Sequence, residues 1–239
     1  MQIKNNSERH FGLFVYLGIE LRNFVFSGLS GRLAEFASVS IITNQRCPTL
    51  DETADKNHIK IIDIPYADLL DRKRRRFENY FLSSRRARIR IKGDEIFNLW
   101  HESIKVRLKD YFIGNILVYK IFQWVSFKDN NIHYYDSNIA TLIRNNGITD
   151  IILQGYFTPK NMVMAITAKK TNCRVWVINW SWKDFYINEY IPFKPDGFFT
   201  WSEKLCKLYK KYNRQIEPSK ISAIGNLSYD RMFNYQPEK

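Results

Sequence analysis

The segment RVWVINWSWKDFYINEYIPFKPDGFFTWSE, residues 174–203, carries the clearest fold signal in the chain. It opens and closes with short apolar, β-rich runs, 174–178 and 197–200, which predict two buried parallel strands joined by a polar and aromatic loop. In an open α/β sheet, ligands bind beyond the carboxyl ends of the strands, so we expect a ligand site in this loop. The loop residues that we expect to bind are Asn179, Ser181, Trp182 and Lys183.

Two tryptophans in the loop, Trp180 and Trp182, leave two interpretations open. Their rings stand beside an amide, a hydroxyl and a lysine, and that combination suits a sugar or phosphate site. The same rings also suit ordinary packing over the sheet edge.

Length and composition describe a globular chain with a sizeable core. With 239 residues, 45% of them hydrophobic, the chain has the size of one large or two small domains. Its three cysteines lie far apart without a CxxC pair, which is typical of reduced thiols in a cytoplasmic protein. The four histidines stand singly, so we expect neither a metal site nor a cofactor.

The apolar runs predict neither a secretory signal nor a membrane span. The first run, 11–17, is followed by Glu20 and Arg22 in place of a small-residue cleavage site. The longest run, 112–127, is interrupted by polar residues and is shorter than the ~20 residues that a spanning helix needs. We therefore expect a cytoplasmic protein.

The net charge of +13 is concentrated in one segment. Between Arg72 and Lys92 there are ten lysines and arginines and one acid, Glu78. The cluster predicts an anionic partner, and nucleic acid, an acidic membrane surface and a polyanionic substrate all fit. Interleaved aromatic residues favour docking on lipid heads or on an anionic acceptor, whereas a solvated helix face is the plainer explanation. The arginines that we expect on this surface are Arg72, Arg74, Arg75, Arg76, Arg85 and Arg86.

The rest of the chain alternates strand and helix patterns. Apolar runs predict further strands at 11–17, 39–43, 59–64, 148–154 and 220–224, and helical spacing predicts helices at 21–37, 133–145, 161–170 and, capped by Ser202, 203–212. This order predicts one three-layer, Rossmann-like α/β domain with a mostly parallel sheet of about six or seven strands. Residues 66–128 show helical spacing alone, so they predict an inserted helical segment, with a separate helical domain as the alternative.

Several segments together resemble a known family. They are GIELRNFVFSG at 18–28, NWSW at 179–182, FKPDGFFTWSEK at 193–204 and KISAIGNLSYDR at 220–231. In this order and spacing they resemble the amino-terminal domain of GT-B fold glycosyltransferases, in particular bacterial surface-polymer enzymes allied to CDP-glycerol glycerophosphotransferases and nucleotide-sugar 2-epimerases. Family members often show Asp-Asn and Lys-Gly pairs where this chain has Lys183-Asp184 and Asn188-Glu189, so its ligand contacts differ there.

The resemblance implies one half of a GT-B fold, with residues 1–239 as the amino-terminal domain and the carboxyl-terminal, donor-binding domain absent. The implied function is the acceptor-side domain of a glycosyltransferase or glycerophosphotransferase in bacterial cell-surface polysaccharide synthesis, inactive alone. The implied partners are a nucleotide-activated sugar or polyol donor, held by the missing domain, and a glycan or lipid-linked acceptor. Such a protein would work at the inner face of the plasma membrane.

The first strand–helix loop is the expected catalytic element. Transfer by inversion needs a base near the acceptor hydroxyl, and Glu20 follows the first strand in the most suitable place. The start of the next helix could hold a phosphate or carboxylate through its backbone N–H groups. Alternatively, Glu20 only complements the helix dipole. The other binding residues that we expect are Gly18, Arg22, Asn23, Asn226 and Asp230.

Two alternative functions stay open. One is a relative of nucleotide-sugar 2-epimerases, which needs no separate acceptor. The other is a non-catalytic basic module that binds nucleic acid or an anionic membrane, and nucleic acid is the partner that we expect least.

Overall fold

The computed structural model describes residues 9–16, 18–64, 76–91, 111–156, 158–179, 181, 184–187 and 191–227. The chain divides into two compact units, which we call the sheet unit (Met1–Asp71 with Asp136–Lys239) and the helical unit (Arg72–Tyr135). The interpretation of the chain as a single half-enzyme with residues 66–128 inserted stays a prediction.

The sheet unit is built on seven parallel strands in the order β3-β2-β1-β4-β5-β6-β7, with helices on both faces. The strands are β1 His10–Val15, β2 Ser38–Thr43, β3 Lys60–Asp63, β4 Asp150–Gln154, β5 Arg174–Ile178, β6 Gly197–Thr200 and β7 Ile221–Ala223. The helices of this unit are α1 Gly18–Glu20, α2 Leu29–Ala34, α3 Pro48–Lys56, α6 Ser137–Asn145, α7 Pro159–Lys170, α8 Asp184–Ile187 and α9 Glu203–Tyr212. The predicted three-layer α/β fold with a mostly parallel sheet is confirmed.

The central strands are buried on both faces, which explains their continuous apolar runs. β1 lies between β2 and β4, with Leu13 opposite Ile41 on one side and Ile152 on the other. These three side chains form part of one hydrophobic core with Phe24 and Leu50, which come from the segments that follow β1 and β2.

The prediction of a single helix over residues 21–37 is wrong. The chain instead forms a π-helix at Leu21–Phe26, a break at Gly28 and then α2. Gly28 has φ of 83°, a left-handed conformation that glycine adopts without strain, and the Ser27 hydroxyl donates to the Asn23 carbonyl oxygen at 2.6 Å. The apolar residues on both sides of Gly28 keep helical spacing. The periodicity of the sequence therefore could not reveal the break in the helix.

The predicted and observed helices also differ in smaller ways, whereas one predicted helix cap is confirmed. The helix predicted from residue 133 begins at Ser137, because Asp136 accepts hydrogen bonds from two backbone N–H groups of its first turn. α3 was not predicted; it starts at Pro48 and buries only Leu50 and Ala54, too few residues for a helical pattern. The predicted Ser202 cap of α9 is confirmed, since its hydroxyl accepts from the Leu205 N–H at 3.3 Å.

The helical unit contains α4 Arg76–Ile91 and α5 Ile116–His133. The two helices pack through aromatic rings: Tyr80 stacks on Phe122 with centroids 5.6 Å apart, and Phe81 meets Tyr119 at 5.5 Å. A buried hydrogen bond of 3.0 Å from the Tyr134 hydroxyl to Glu78 adds a polar contact.

The anion-binding role of Arg85 stays a prediction, and the structure leaves little of this residue exposed. Arg85 is only 8% exposed, because it follows Glu78 and Phe81 on the inner side of α4 at helical spacing. Arg86 is half-buried. Three other predicted positions, Arg72, Arg74 and Arg75, lie outside the described residues. For Arg76 the structure describes the backbone, at the start of α4, but not the side chain.

A buried carboxylate organises the amino-terminal edge of the sheet. Asp150 accepts hydrogen bonds from Arg174 at 2.8 Å and from the Trp176 indole N–H at 2.7 Å. The Trp176 ring stacks on Phe199, with a centroid distance of 6.1 Å and an interplanar angle of 7°, and covers Gly197. A Cβ atom at Gly197 would stand 2.5 Å from the Trp176 ring, so only glycine fits beneath it.

We expect Gly197→Ala to destabilise the sheet unit by about 1–3 kcal/mol, since the added methyl group must displace a ring held by Asp150 and Phe199. Urea unfolding followed by circular dichroism measures the change. Gly18→Ala is the matched control, because the structure describes nothing within 4 Å of that Cβ position. Equal stability of the two variants would contradict the role assigned to the Trp176 ring.

Candidate functional site

The candidate site lies at the carboxyl ends of β1 and β4. β1 and β4 are neighbours in the sheet. From β1 the chain continues to β2, away from β4, and from β4 it continues to β5, away from β1. A doubly wound sheet leaves a crevice where neighbouring strands are wound in opposite directions, and ligands bind there. The pairing of β1 with β4 places that crevice at their carboxyl ends, beside Tyr16 and Gly155.

A tyrosine and a threonine join the two sides of this crevice. The Tyr16 hydroxyl, just beyond β1, forms a hydrogen bond of 2.8 Å with the Thr158 hydroxyl, which follows β4. Thr158 also caps α7 by accepting from the Asn161 N–H at 3.2 Å. The Lys160 ammonium stands 5.4 Å from the centroid of the Tyr16 ring. A cationic side chain and the N-terminus of a twelve-residue helix therefore lie together at the crevice.

Tyr16 keeps its proton over the physiological pH range. Burial raises the pKa of its hydroxyl to about 12, and the nearby negative charge of Glu20 acts in the same direction. The neutral hydroxyl can donate or accept a hydrogen bond, but it does not act as a base near neutral pH.

Two buried amides at this edge have unused hydrogen-bonding capacity. Neither polar atom of the Gln154 side chain forms a hydrogen bond with a group that the structure describes. Asn161 donates to the Gln154 carbonyl oxygen at 2.7 Å, but its own side-chain oxygen accepts from no described group. Buried polar atoms are normally paired, so these amides mark the end of β4 as a place suited to a polar ligand group or an ordered water.

Sequence reasoning missed Tyr16, Thr158, Lys160 and Gln154. The Thr158-Pro159 pair was the available signal, because threonine before a helix and proline in its first turn mark a helix start. No local pattern indicated that Tyr16 would meet Thr158, since they are 142 positions apart.

Glu20 lies where it was predicted in the chain, but its side chain is fully buried. The π-helix Leu21–Phe26 follows it directly in the chain. Short π-helical segments are rare and are frequent at functional sites. The role of Glu20 as a base stays a prediction.

The anion site predicted in the first loop stays a prediction. The helical segment begins at Gly18 and continues from α1 into the π-helix Leu21–Phe26, so residues 21–23 lie after its first turn and not at its N-terminus. Gly18 and Arg22 are exposed, and the Arg22 guanidinium donates to the Asn23 side-chain oxygen at 3.1 Å. Asn23 is itself buried.

Asn179 organises the loop that follows β5. It is fully buried, donates to the Ser181 carbonyl oxygen at 2.8 Å and accepts from the Tyr209 hydroxyl at 3.1 Å. Its backbone oxygen accepts from the Trp201 indole at 3.1 Å. Tyr209 is also joined to Tyr156, beyond β4, by a bond of 2.9 Å. The Asn179 side chain therefore positions the loop from within.

The other predicted binding residues have varied positions. Ser181 is half-buried, and its backbone N–H donates to Asp184 at 2.8 Å. Asn226 is half-buried in the loop after β7. Trp182, Lys183 and Asp230 lie outside the described residues, as does Trp180, so both interpretations of the tryptophans stay open.

Comparison with known proteins identifies the fold. No protein-family model and no curated protein matches the sequence. A structure assigned as a UDP-N-acetylglucosamine 2-epimerase of Listeria monocytogenes matches with a TM-score of 0.51 at 11% identity, over 98% of this chain and 49% of that one. A Rickettsia africae glycosyltransferase matches over 96% and 47% of the two chains, with 14% identity and a TM-score of 0.46. The UDP-GlcNAc-bound 2-epimerase of Neisseria meningitidis matches over 95% and 49%, with 9% identity and a TM-score of 0.49.

The chain thus spans about half the length of these structures. At such identities the likeness concerns the fold, and the Listeria structure bears it out over nearly all of this chain. The predicted fold, one half of a GT-B protein, is confirmed.

We expect the contribution of Tyr16 to stability to disappear at high pH. Its folded-state pKa of about 12 exceeds the ordinary value of 10.0, so the stabilisation is complete below pH 10 and is lost as pH rises toward 12. Tyr16→Phe should cost about 1 kcal/mol near neutral pH, through the lost bond to Thr158. This cost should shrink between about pH 8 and about pH 11, because the variant has no hydroxyl to ionise.

Urea unfolding of both proteins at the two pH values measures this difference. Tyr80→Phe, at a half-exposed ring of the helical unit, is the matched control. A cost that stays constant with pH would show that Tyr16 does not titrate as its burial requires.

Proposed function

We propose that the chain is the acceptor-side half of a transferase that uses a nucleotide-activated sugar or polyol donor to build a bacterial cell-surface glycan or polyol-phosphate polymer. The observation that carries the proposal is the hydrogen bond between Tyr16 and Thr158 at the carboxyl ends of β1 and β4, beside Lys160 and the N-terminus of α7. The fold in which it lies matches one half of a GT-B fold. The segments that resemble GT-B surface-polymer enzymes support the same assignment.

In this proposal the crevice holds the acceptor. The N-terminus of α7 and the Lys160 ammonium attract a phosphate or another anionic group of the acceptor. The neutral hydroxyls of Tyr16 and Thr158 offer hydrogen bonds to sugar or polyol oxygens. Glu20 takes the proton of the attacking hydroxyl once the π-helix shifts and opens its side chain to the crevice. The nucleotide of the donor is held by a second domain.

A relative of nucleotide-sugar 2-epimerases is the second candidate. The Listeria structure, whose TM-score exceeds 0.5, is assigned to that activity. In that case the crevice would hold the sugar of a UDP-linked substrate, and no separate acceptor would bind.

We place the protein in the cytoplasm, at the inner face of the plasma membrane, where a lipid-linked acceptor is available. In the part of the chain that the structure describes, no helix has the length and hydropathy of a membrane span. Attachment would therefore be peripheral and would depend on charge and shallow insertion.

We expect the purified 239-residue chain to turn over no nucleotide sugar, because it spans about half of the matched Listeria structure and we assign donor binding to the other half. Incubation with UDP-N-acetylglucosamine or CDP-glycerol, followed by chromatography of the nucleotides, tests this. Release of UDP or CMP would overturn the assignment of donor binding to another domain. Formation of the 2-epimer of the sugar would favour the second candidate.

We expect acceptor probes, in contrast, to bind to the isolated chain. Two-dimensional NMR with an oligomer of glycerol phosphate should shift the amide signals of Tyr16, Gly155 and Lys160. Lys160→Gln should weaken this binding by about tenfold to about a hundredfold, since a charge-assisted hydrogen bond is worth roughly 1.5–3 kcal/mol.

Lys60→Gln is the matched control, because Lys60 begins β3 at the opposite edge of the sheet, where its ammonium donates to Asn146 at 2.8 Å. Equal weakening by both variants would indicate a general charge effect, and the crevice would not be the acceptor site.

A further inference from the structure

Helix α5 presents an apolar stripe to solvent. Leu117, Ile121 and Trp124 follow one another at helical spacing and are 68%, 60% and 61% exposed. Ile132 continues the stripe toward the end of the helix, at 78% exposed. Large apolar side chains grouped on one face mark an interaction surface, whereas isolated ones do not.

The opposite side of α5 forms the core of the helical unit. Tyr119 and Phe122 face the rings of α4, and Ser126 and Asn130 are buried on the same side. The described contacts between α4 and α5 therefore leave the stripe exposed.

Lysines accompany the stripe. Lys120 and Lys128 are exposed beside it, and the Lys128 ammonium stands 4.3 Å from the centroid of the Trp124 ring. None of the exposed residues of α5, which the structure describes throughout, is Asp or Glu. We call this surface the α5 outer face; it consists of Leu117, Lys120, Ile121, Trp124, Lys128 and Ile132.

We propose that the α5 outer face binds an anionic lipid surface. In this arrangement Leu117, Ile121 and Trp124 enter the boundary between head groups and acyl chains, and the two lysines contact lipid phosphates. A tryptophan with aliphatic neighbours and flanking lysines is the composition of helices that lie in a membrane interface. Lysines near such a surface are attracted by its negative potential.

Charge argues against a second copy of this chain as the occupant. A two-fold dimer brings the same face of each copy together, so Lys120 and Lys128 of both would meet without a carboxylate on that face. Like charges at an interface oppose association, whereas anionic lipids compensate the same lysines.

This inference deepens the membrane location proposed above and does not depend on the transferase chemistry. It also places the contact on α5, whereas the sequence pattern pointed to the arginine cluster that leads into α4. One member of that cluster, Arg85, is only 8% exposed, whereas the side chains of the α5 stripe are at least 60% exposed.

Vesicle co-sedimentation tests the proposal. We expect the chain to bind vesicles of phosphatidylcholine mixed with phosphatidylglycerol and to leave pure phosphatidylcholine vesicles largely unbound. The triple variant Leu117→Gln, Ile121→Gln, Trp124→Gln and the double variant Lys120→Gln, Lys128→Gln should each bind the mixed vesicles at least about tenfold more weakly.

Phe36→Gln is the matched control, because Phe36 is 66% exposed but lies in the sheet unit. It should bind as the wild type does. Circular dichroism confirms that all variants are folded, which the exposure of the replaced side chains favours.

The contrary outcomes are distinct. If the triple variant binds mixed vesicles as tightly as the wild type does, the α5 outer face is not the lipid contact, but the proposed membrane location still holds. Binding to neither vesicle type would overturn both. A wild-type dimer in analytical ultracentrifugation that the triple variant abolishes would assign the face to a second copy. None of these results changes the NMR titration with glycerol phosphate, which tests the transferase proposal separately.

Discussion

The pairing of β1 with β4 is the interaction on which the sheet unit depends. His10 and Thr149, which are 139 positions apart, are joined by a backbone hydrogen bond of 3.0 Å and by a second bond to the Thr149 hydroxyl. At the same end, Asp150 binds Arg9 and Arg174. This pairing joins two strand–helix halves that are wound in opposite directions. Because the strands are parallel, their carboxyl ends meet at one edge, and the crevice of the candidate site forms there.

Buried polar groups then determine which backbone segments surround the crevice. On the second half of the sheet, Tyr156, Tyr209 and Asn179 form a chain of hydrogen bonds that connects the loops after β4 and β5 with helix α9. Such bonds are strong in a medium of low polarity, and leaving any one of them unmade is costly. The bonds therefore fix Tyr156 and Asn179, near the starts of these two loops, relative to α9. Gln154 stands apart from this network, and neither polar atom of its buried amide bonds to a described group.

In the helical unit, some charged side chains are buried, although composition indicates a charged surface. α4 belongs to the most basic segment of the chain, yet its inner side buries Glu78 and Arg85 and presents Phe81 to α5. The apolar residues of α5 divide in turn between a packed side and an exposed side. A concentration of positive charge thus indicates which segment is suited to an anionic partner. Exposure decides which side chains of that segment can contact such a partner.

The sequence by itself determined the fold class, the approximate positions of the strands and the Ser202 helix cap. It could do so because a strand buried on both faces must be continuously apolar, and a cap is a contact between near neighbours. The sequence also predicted a ligand site beyond the carboxyl ends of the strands, and that site stays a prediction. Tertiary structure alone decided the burial of Glu20 and Arg85, the break at Gly28 and the contact between Tyr16 and Thr158. Periodic patterns record which residues prefer the interior, but the surroundings of each side chain come from segments far away in the chain, and local sequence does not encode them.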